Sequence, residues 1–124
     1  MNKAWIPLCL LLLAGISLAG CSKPIEFTGK SAFWSVDATV RPFSNKKSFV
    51  IKYTGEDRQP VKGVRYAFEN SKNFNGKGEH AAAAAHLRVT GTSTLDQPYD
   101  DETGFNVRIH WNDKEEIIPV AKRQ

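Results

Sequence analysis

The run Phe105-Asn106-Val107-Arg108-Ile109-His110-Trp111-Asn112-Asp113-Lys114-Glu115-Glu116-Ile117-Ile118-Pro119-Val120 folds back on itself when read by residue type. Its first half alternates apolar and polar residues with period two, which marks a strand with one buried face. Asn112-Asp113 suits a two-residue hairpin turn, because both residues tolerate tight backbone geometry. With that turn, Trp111 faces Lys114, His110 faces Glu115, Ile109 faces Glu116, Val107 faces Ile118 and Phe105 faces Val120. Apolar pairs stack on one face and the His–Glu pair lies on the other, as cross-strand pairing favours. Ile109 opposite Glu116 breaks the pattern and suits a wet end of the sheet. Pro119 has no N–H to give to a ladder, so the second strand is expected at a sheet edge.

The same alternation recurs upstream. Trp34, Val36, Ala38 and Val40 form one apolar face; Phe49, Ile51 and Tyr53 form another; Val64, Tyr66 and Phe68 a third. Leu87, Val89 and Gly91 open a further strand. Turn-forming residues separate these runs at 42–45, 55–60, 70–78 and 96–104. Residues 79–87 hold five consecutive alanines between His80 and His86. They favour helix, yet the segment is too short to be a stable one, so a helical turn or a plain connection is expected. The fold expected is all-β: a single immunoglobulin-like β-sandwich of about seven strands.

The chain has 124 residues, 24 % charged, and a formal charge of +4. That length supports one domain and leaves no room for a cleft between two. Two cysteines, Cys9 and Cys21, exclude a disulfide scaffold. Residues 4–20 carry no charge and follow Lys3, the pattern of an export signal. That stretch is short for a bilayer-spanning helix, which needs about 20 residues.

The apolar run ends in Leu18-Ala19-Gly20-Cys21, which resembles the lipobox of bacterial lipoproteins. The resemblance implies that the Cys21 thiol receives a diacylglyceryl group. A peptidase then cuts between Gly20 and Cys21, leaving Cys21 as an acylated (palmitate-type) first residue. Two or more acyl chains hold a protein firmly, at about 0.8 kcal/mol per buried CH₂. The division expected is therefore a removed signal at 1–20, a lipidated start and tether at 21–32, and the β-sandwich at 33–124. The implied location is the extracytoplasmic face of a bacterial membrane. Ser22 would suit sorting to an outer membrane in a host with two membranes.

Catalytic and metal motifs are weak. His80 and His86 are six apart, matching neither helix nor strand spacing for a shared metal, and His110 lies far along the chain. Asp96, Asp100, Asp101 and Glu102 lack the spaced pattern of a calcium loop and read as turn-forming acids. Asp113, Glu115 and Glu116 lie on and after the hairpin turn, with no sign of a pocket for paired carboxylates. Gly76-Lys77-Gly78 lacks the flanks of a phosphate loop, and no nucleophile elbow is present. No enzyme, metal or cofactor is expected.

Basic residues crowd the first two thirds, among them Lys23, Lys30, Arg41, Lys46, Lys47, Lys52, Arg58, Lys62, Arg65, Lys72 and Lys77, whereas acids are commoner from Asp96 onward. An exported protein meets little nucleic acid, so the expected partners are the membrane itself, anionic headgroups, cell-wall polymer or an envelope protein. Trp34, Tyr53, Tyr66, Phe68 and Trp111 are expected in the core. Phe33 and Phe43 fall outside the main apolar faces and are the candidates for an exposed contact. The function expected is a non-enzymatic binding or structural module at the envelope. The alternative is an inhibitor or immunity-type lipoprotein that plugs a wall-degrading enzyme or toxin with the loop at 96–104 or 70–78.

Overall fold

The computed structural model describes residues 23–56 and 59–124. The signal-like segment, Gly20, Cys21 and Arg58 lie outside the described residues. The described residues form eight strands: β1 (Ile25–Lys30), β2 (Trp34–Arg41), β3 (Lys46–Tyr53), β4 (Val64–Glu69), β5 (Lys77–His80), β6 (Arg88–Thr94), β7 (Gly104–Trp111) and β8 (Lys114–Lys122). All pair antiparallel in one sheet, in the order β5-β4-β7-β8-β1-β2-β3-β6. The sheet curls until β3 meets β4: Phe49 packs on Tyr66 and Phe68 at ring separations of 5.5 and 5.0 Å.

The fold is thus all-β and nearly barrel-shaped. The topology does not show an immunoglobulin-like sandwich of about seven strands; its eight strands bond into a single coiled sheet. The core is the inner face of that sheet. Trp34, Val36, Ala38 and Val40 of β2 face Val107, Ile109, Ile118 and Val120 of β7 and β8 within one buried cluster. Along β2 and β7 alternation sends every second residue inward, so the sequence pattern and the burial pattern coincide there.

The β7–β8 hairpin has the expected register from Phe105↔Val120 to Trp111↔Lys114. Asn112 and Asp113 both have positive φ, 46° and 62°, as a type I′ turn requires. Ile109 does oppose Glu116, whose half-buried side chain has one oxygen without a hydrogen bond. The expected edge position of β8 is corrected. It lies mid-sheet, between β7 and β1. Proline is accommodated because the β1 ladder holds only Phe27↔Lys122 and Thr28↔Ala121 and stops short of Pro119. No bond is asked of its nitrogen there.

Ile25–Lys30, assigned by sequence to the tether, is a full strand paired along β2. β5, whose residues the sequence divides between the turn at 70–78 and the alanine-rich segment at 79–87, pairs with β4 from Val64↔His80 to Ala67↔Lys77. The alanine-rich segment is a connection rather than a helix, tied by a single bridge between Val61 and Ala84. No helix among the described residues is long and apolar enough to cross a membrane.

The end of the barrel that holds the start of β1 is closed by a polar plug. Glu102 is buried, 8 % exposed. Its carboxylate accepts hydrogen bonds from Ser71 Oγ, Lys72 N and Asn73 Nδ2, each at 2.8 Å. Asn73 Nδ2 also donates to the Asp100 carbonyl at 2.7 Å, and Asp100 N donates to Asn73 Oδ1 at 3.0 Å. Beside them Lys47, inward-facing and buried, donates to the Asn73 carbonyl at 2.9 Å and lies 5.9 Å from the Phe74 ring centre.

At the rim of this plug Tyr99 donates its hydroxyl to Asp101 Oδ1 at 3.1 Å, and Lys122 Nζ donates to the same oxygen at 2.7 Å. The Lys122 bond, followed by that of Tyr99, holds the Asp101 carboxyl below its ordinary range. Burial, and then the Asp101 hydrogen bond, push the Tyr99 phenol up to about 12. The neutral phenol is the favoured form, so its contribution to stability is intact below pH 10 and is lost as pH rises towards 12. Absorbance titration at alkaline pH should therefore show a phenol ionising near 12, and Asp101→Asn should move it back towards 10. An unchanged titration in that variant would contradict the pairing.

Candidate functional site

The outer face of β5, β4 and β7 carries a groove of about 500 Å³. Strand register builds it. One row across the sheet runs Glu79–Arg65–His110–Glu115, and the next runs Lys77–Ala67–Arg108–Ile117. Ala67 projects only a methyl group between two long cations, which leaves the floor low. Arg65, Lys77, Arg108 and His110 form the walls.

Arg108 is braced from two sides. Its Nε donates to Glu69 Oε2 at 3.1 Å and a terminal nitrogen to Glu115 Oε1 at 2.6 Å. The hydrogen bond from Arg108 is the main cause that holds the Glu115 carboxyl below its ordinary range, and the guanidinium is raised in turn, chiefly by Glu69. His110 Nε2 lies 3.0 Å from the same Glu115 oxygen. Arg65 and Lys77 differ: among the described residues neither takes part in an ion pair, although Glu79 is the register partner of Arg65.

A second hollow of about 400 Å³ adjoins the first, sharing Arg65 and His110 and adding Lys62 and Lys114. The hairpin turn positions it. Asn112 Oδ1 accepts from Lys62 N at 3.0 Å, Asn112 Nδ2 donates to the Pro60 carbonyl at 3.3 Å, and Asn112 N donates to the Lys62 carbonyl at 3.1 Å. Asn112 therefore serves twice, tolerating positive φ and clamping the chain that carries Lys62. Together the hollows make a cationic trough from Lys77 to Lys114, with Glu79 and Asp113 among its lining carboxylates. Such a trough suits an extended anion, held by charge-assisted hydrogen bonds from a planar guanidinium and flexible ammonium groups.

The structure sorts the other candidates. Among the described residues no three of His, Cys, Asp or Glu converge as a metal site. His80 ends β5 opposite Val64, while His110 is the register partner of Arg65. The acids at 96–102 are dispersed: Asp96 bonds Asn75, Asp100 pairs with Lys72, Asp101 with Lys122, and Glu102 is the buried plug. The loops at 70–78 and 96–104 are therefore bound to each other through Asn73 and Glu102.

Trp34, Tyr53 and Trp111 are buried, and Tyr66 and Phe68 pack against the core. Phe33 is half-buried, lying 5.6 Å from Trp111 and under Lys114 Nζ at 5.4 Å. Phe43 is 92 % exposed. Of the cations read from sequence, Lys62, Arg65 and Lys77 reach the trough, and Lys47 goes to the core. Arg108 and Lys114 were not singled out as cationic candidates, because they lie in the last stretch of the chain, from Asp96 onward, where acids are commoner. Comparison with known protein families, with characterised proteins and with solved structures gives no match.

Proposed function

We propose that this chain is a lipid-anchored, non-enzymatic binding module on the outer side of a bacterial membrane, and that its trough takes an anionic cell-wall polymer. The Leu18-Ala19-Gly20-Cys21 motif supports the anchor. The observation that carries the binding role is the pair Arg65 and Lys77, two cations on a grooved face without an ion-pair partner among the described residues. Braced Arg108 adds a fixed guanidinium between them and the hairpin.

The anchor is tested by the mass of the Cys21-containing peptide, which should carry acyl chains. Binding is tested by sedimenting the detergent-extracted full-length protein with purified cell wall. Joint Arg65→Glu and Lys77→Glu substitution should weaken binding at least about tenfold, since charge-assisted contacts contribute roughly 1.5–3 kcal/mol each. Binding of the unaltered protein should fall as salt rises. Unchanged sedimentation in the double variant, with its melting temperature preserved, would remove the trough as the site.

A further inference from the structure

We infer that the β2–β3 turn is the part of the domain that touches the bilayer, with Phe43 entering the headgroup layer and Arg41, Lys46 and Lys23 holding anionic headgroups. This rests on the reading of Cys21 as the lipidated residue.

Phe43 stands apart from the other phenylalanines. Phe27, Phe74 and Phe105 are buried, and Phe33, Phe49 and Phe68 pack against the core, whereas Phe43 is 92 % exposed. An isolated exposed apolar side chain needs no explanation by itself. Its setting supplies one. The turn occupies residues 42–44 between β2 and β3, and β1 begins opposite its base at Ile25↔Val40. Cys21 is four residues before Ile25, a span of at most about 14 Å when extended. The tether is far shorter than the sequence reading allowed, because β1 takes up Ile25–Lys30. Acyl chains on Cys21 would hold this end of the barrel, and not the other, against lipid.

The charges at this end agree. Arg41 and Lys46 are direct register partners at the base of the turn, a like-charge pairing that works against the ladder. Neither has an ion-pair partner among the described residues, and Lys23, two residues before β1, is exposed. Most acids of the same end are already engaged: Glu26 by Arg123, Asp100 by Lys72 and Asp101 by Lys122. Among the described residues, exposed Asp96, bonded to Asn75, and buried Glu102, bonded to Ser71, Lys72 N and Asn73, are carboxylates there without an ion-pair partner. An anionic surface would relieve the Arg41–Lys46 repulsion.

The turn is also stiff. Pro42 starts a short 3₁₀ segment, Asn45 closes it at φ 58°, and Asn45 is bonded to Leu95 through both its carbonyl and its side-chain amide. Phe43 is thus presented with little backbone freedom left to lose on insertion.

The test uses the processed, acylated protein, from which Trp5 has gone with residues 1–20, reconstituted in phosphatidylglycerol vesicles with brominated acyl chains. The Phe43→Trp variant adds an indole there, while native Trp34 and Trp111 stay buried. Roughly half or more of the added emission should be quenched by the bromines, as expected for a ring about 5–10 Å into the interface. Adding Arg41→Glu and Lys46→Glu should reduce that quenching. If the added indole is untouched by bromines and open to aqueous iodide while Cys21 is acylated by mass, the inference fails and the anchor stands. If the Cys21 thiol is unmodified, both fall.

Discussion

Glu102→Ala should lower the unfolding free energy by about 3 kcal/mol, since hydrogen bonds to a charged group contribute roughly 1.5–3 kcal/mol each and a buried donor left unpaired adds its desolvation cost. Three donors converge on that carboxylate, and one of them is a main-chain N–H. The terms do not simply add, because the two loops can part and rehydrate once the acid is gone. For a domain of this size, the melting temperature should fall by about 12–20 °C. Glu102→Gln preserves the shape but surrenders the charge, so a loss nearer 1–2 kcal/mol is expected. Urea unfolding of both variants checks the order. A loss below about 0.5 kcal/mol for alanine would mean that the plug is not what closes this end.

The second large effect is at Gly29. A Cβ there would overlap the Pro119 carbonyl oxygen and stand 3.1 Å from Val120 Cα. Both obstacles are backbone, so no rotamer change can relieve them. Gly29→Ala should therefore cost about 3 kcal/mol, the upper end for overpacking a well-filled site. Gly76→Ala is the control: nothing lies within 4 Å of a Cβ at that position. It should be neutral or stabilising by up to about 1 kcal/mol, through lost freedom of the unfolded chain. Equal effects at the two glycines would show that β1 and β8 do not approach as described.

The hairpin was fully legible in the sequence because its information is local. A turn of two residues that tolerate positive φ leaves one register that stacks Val107 on Ile118 and Phe105 on Val120. β1 could also have been read, since Ile25 and Phe27 alternate with Glu26 and Thr28. Its place just after the Leu18-Ala19-Gly20-Cys21 motif argued for a tether instead. β5 was beyond reach: Lys77-Gly78-Glu79-His80 has no apolar face, and it is a strand because β4 offers it a ladder.

The trough was only half visible for the same reason. Alternation sends Arg65 and Arg108 outward, but only the pairing of β4 with β7 brings their rows together, across some forty residues of intervening chain. Nothing in either segment names the other as its neighbour. The misjudged edge at Pro119 has a similar origin, because a ladder of two residue pairs satisfies the proline without leaving it at a border.

The position of β8 has a consequence for how the molecule comes into being. Last in chain order, it lies between β7 and β1 and joins the two halves of the sheet. Any process that delivers the polypeptide from its amino end, whether synthesis or threading through a pore, first yields a β1–β2–β3–β6 portion and a β4–β5–β7 portion with no strand between them. Each leaves an apolar face uncovered until the final strand emerges and zips them together.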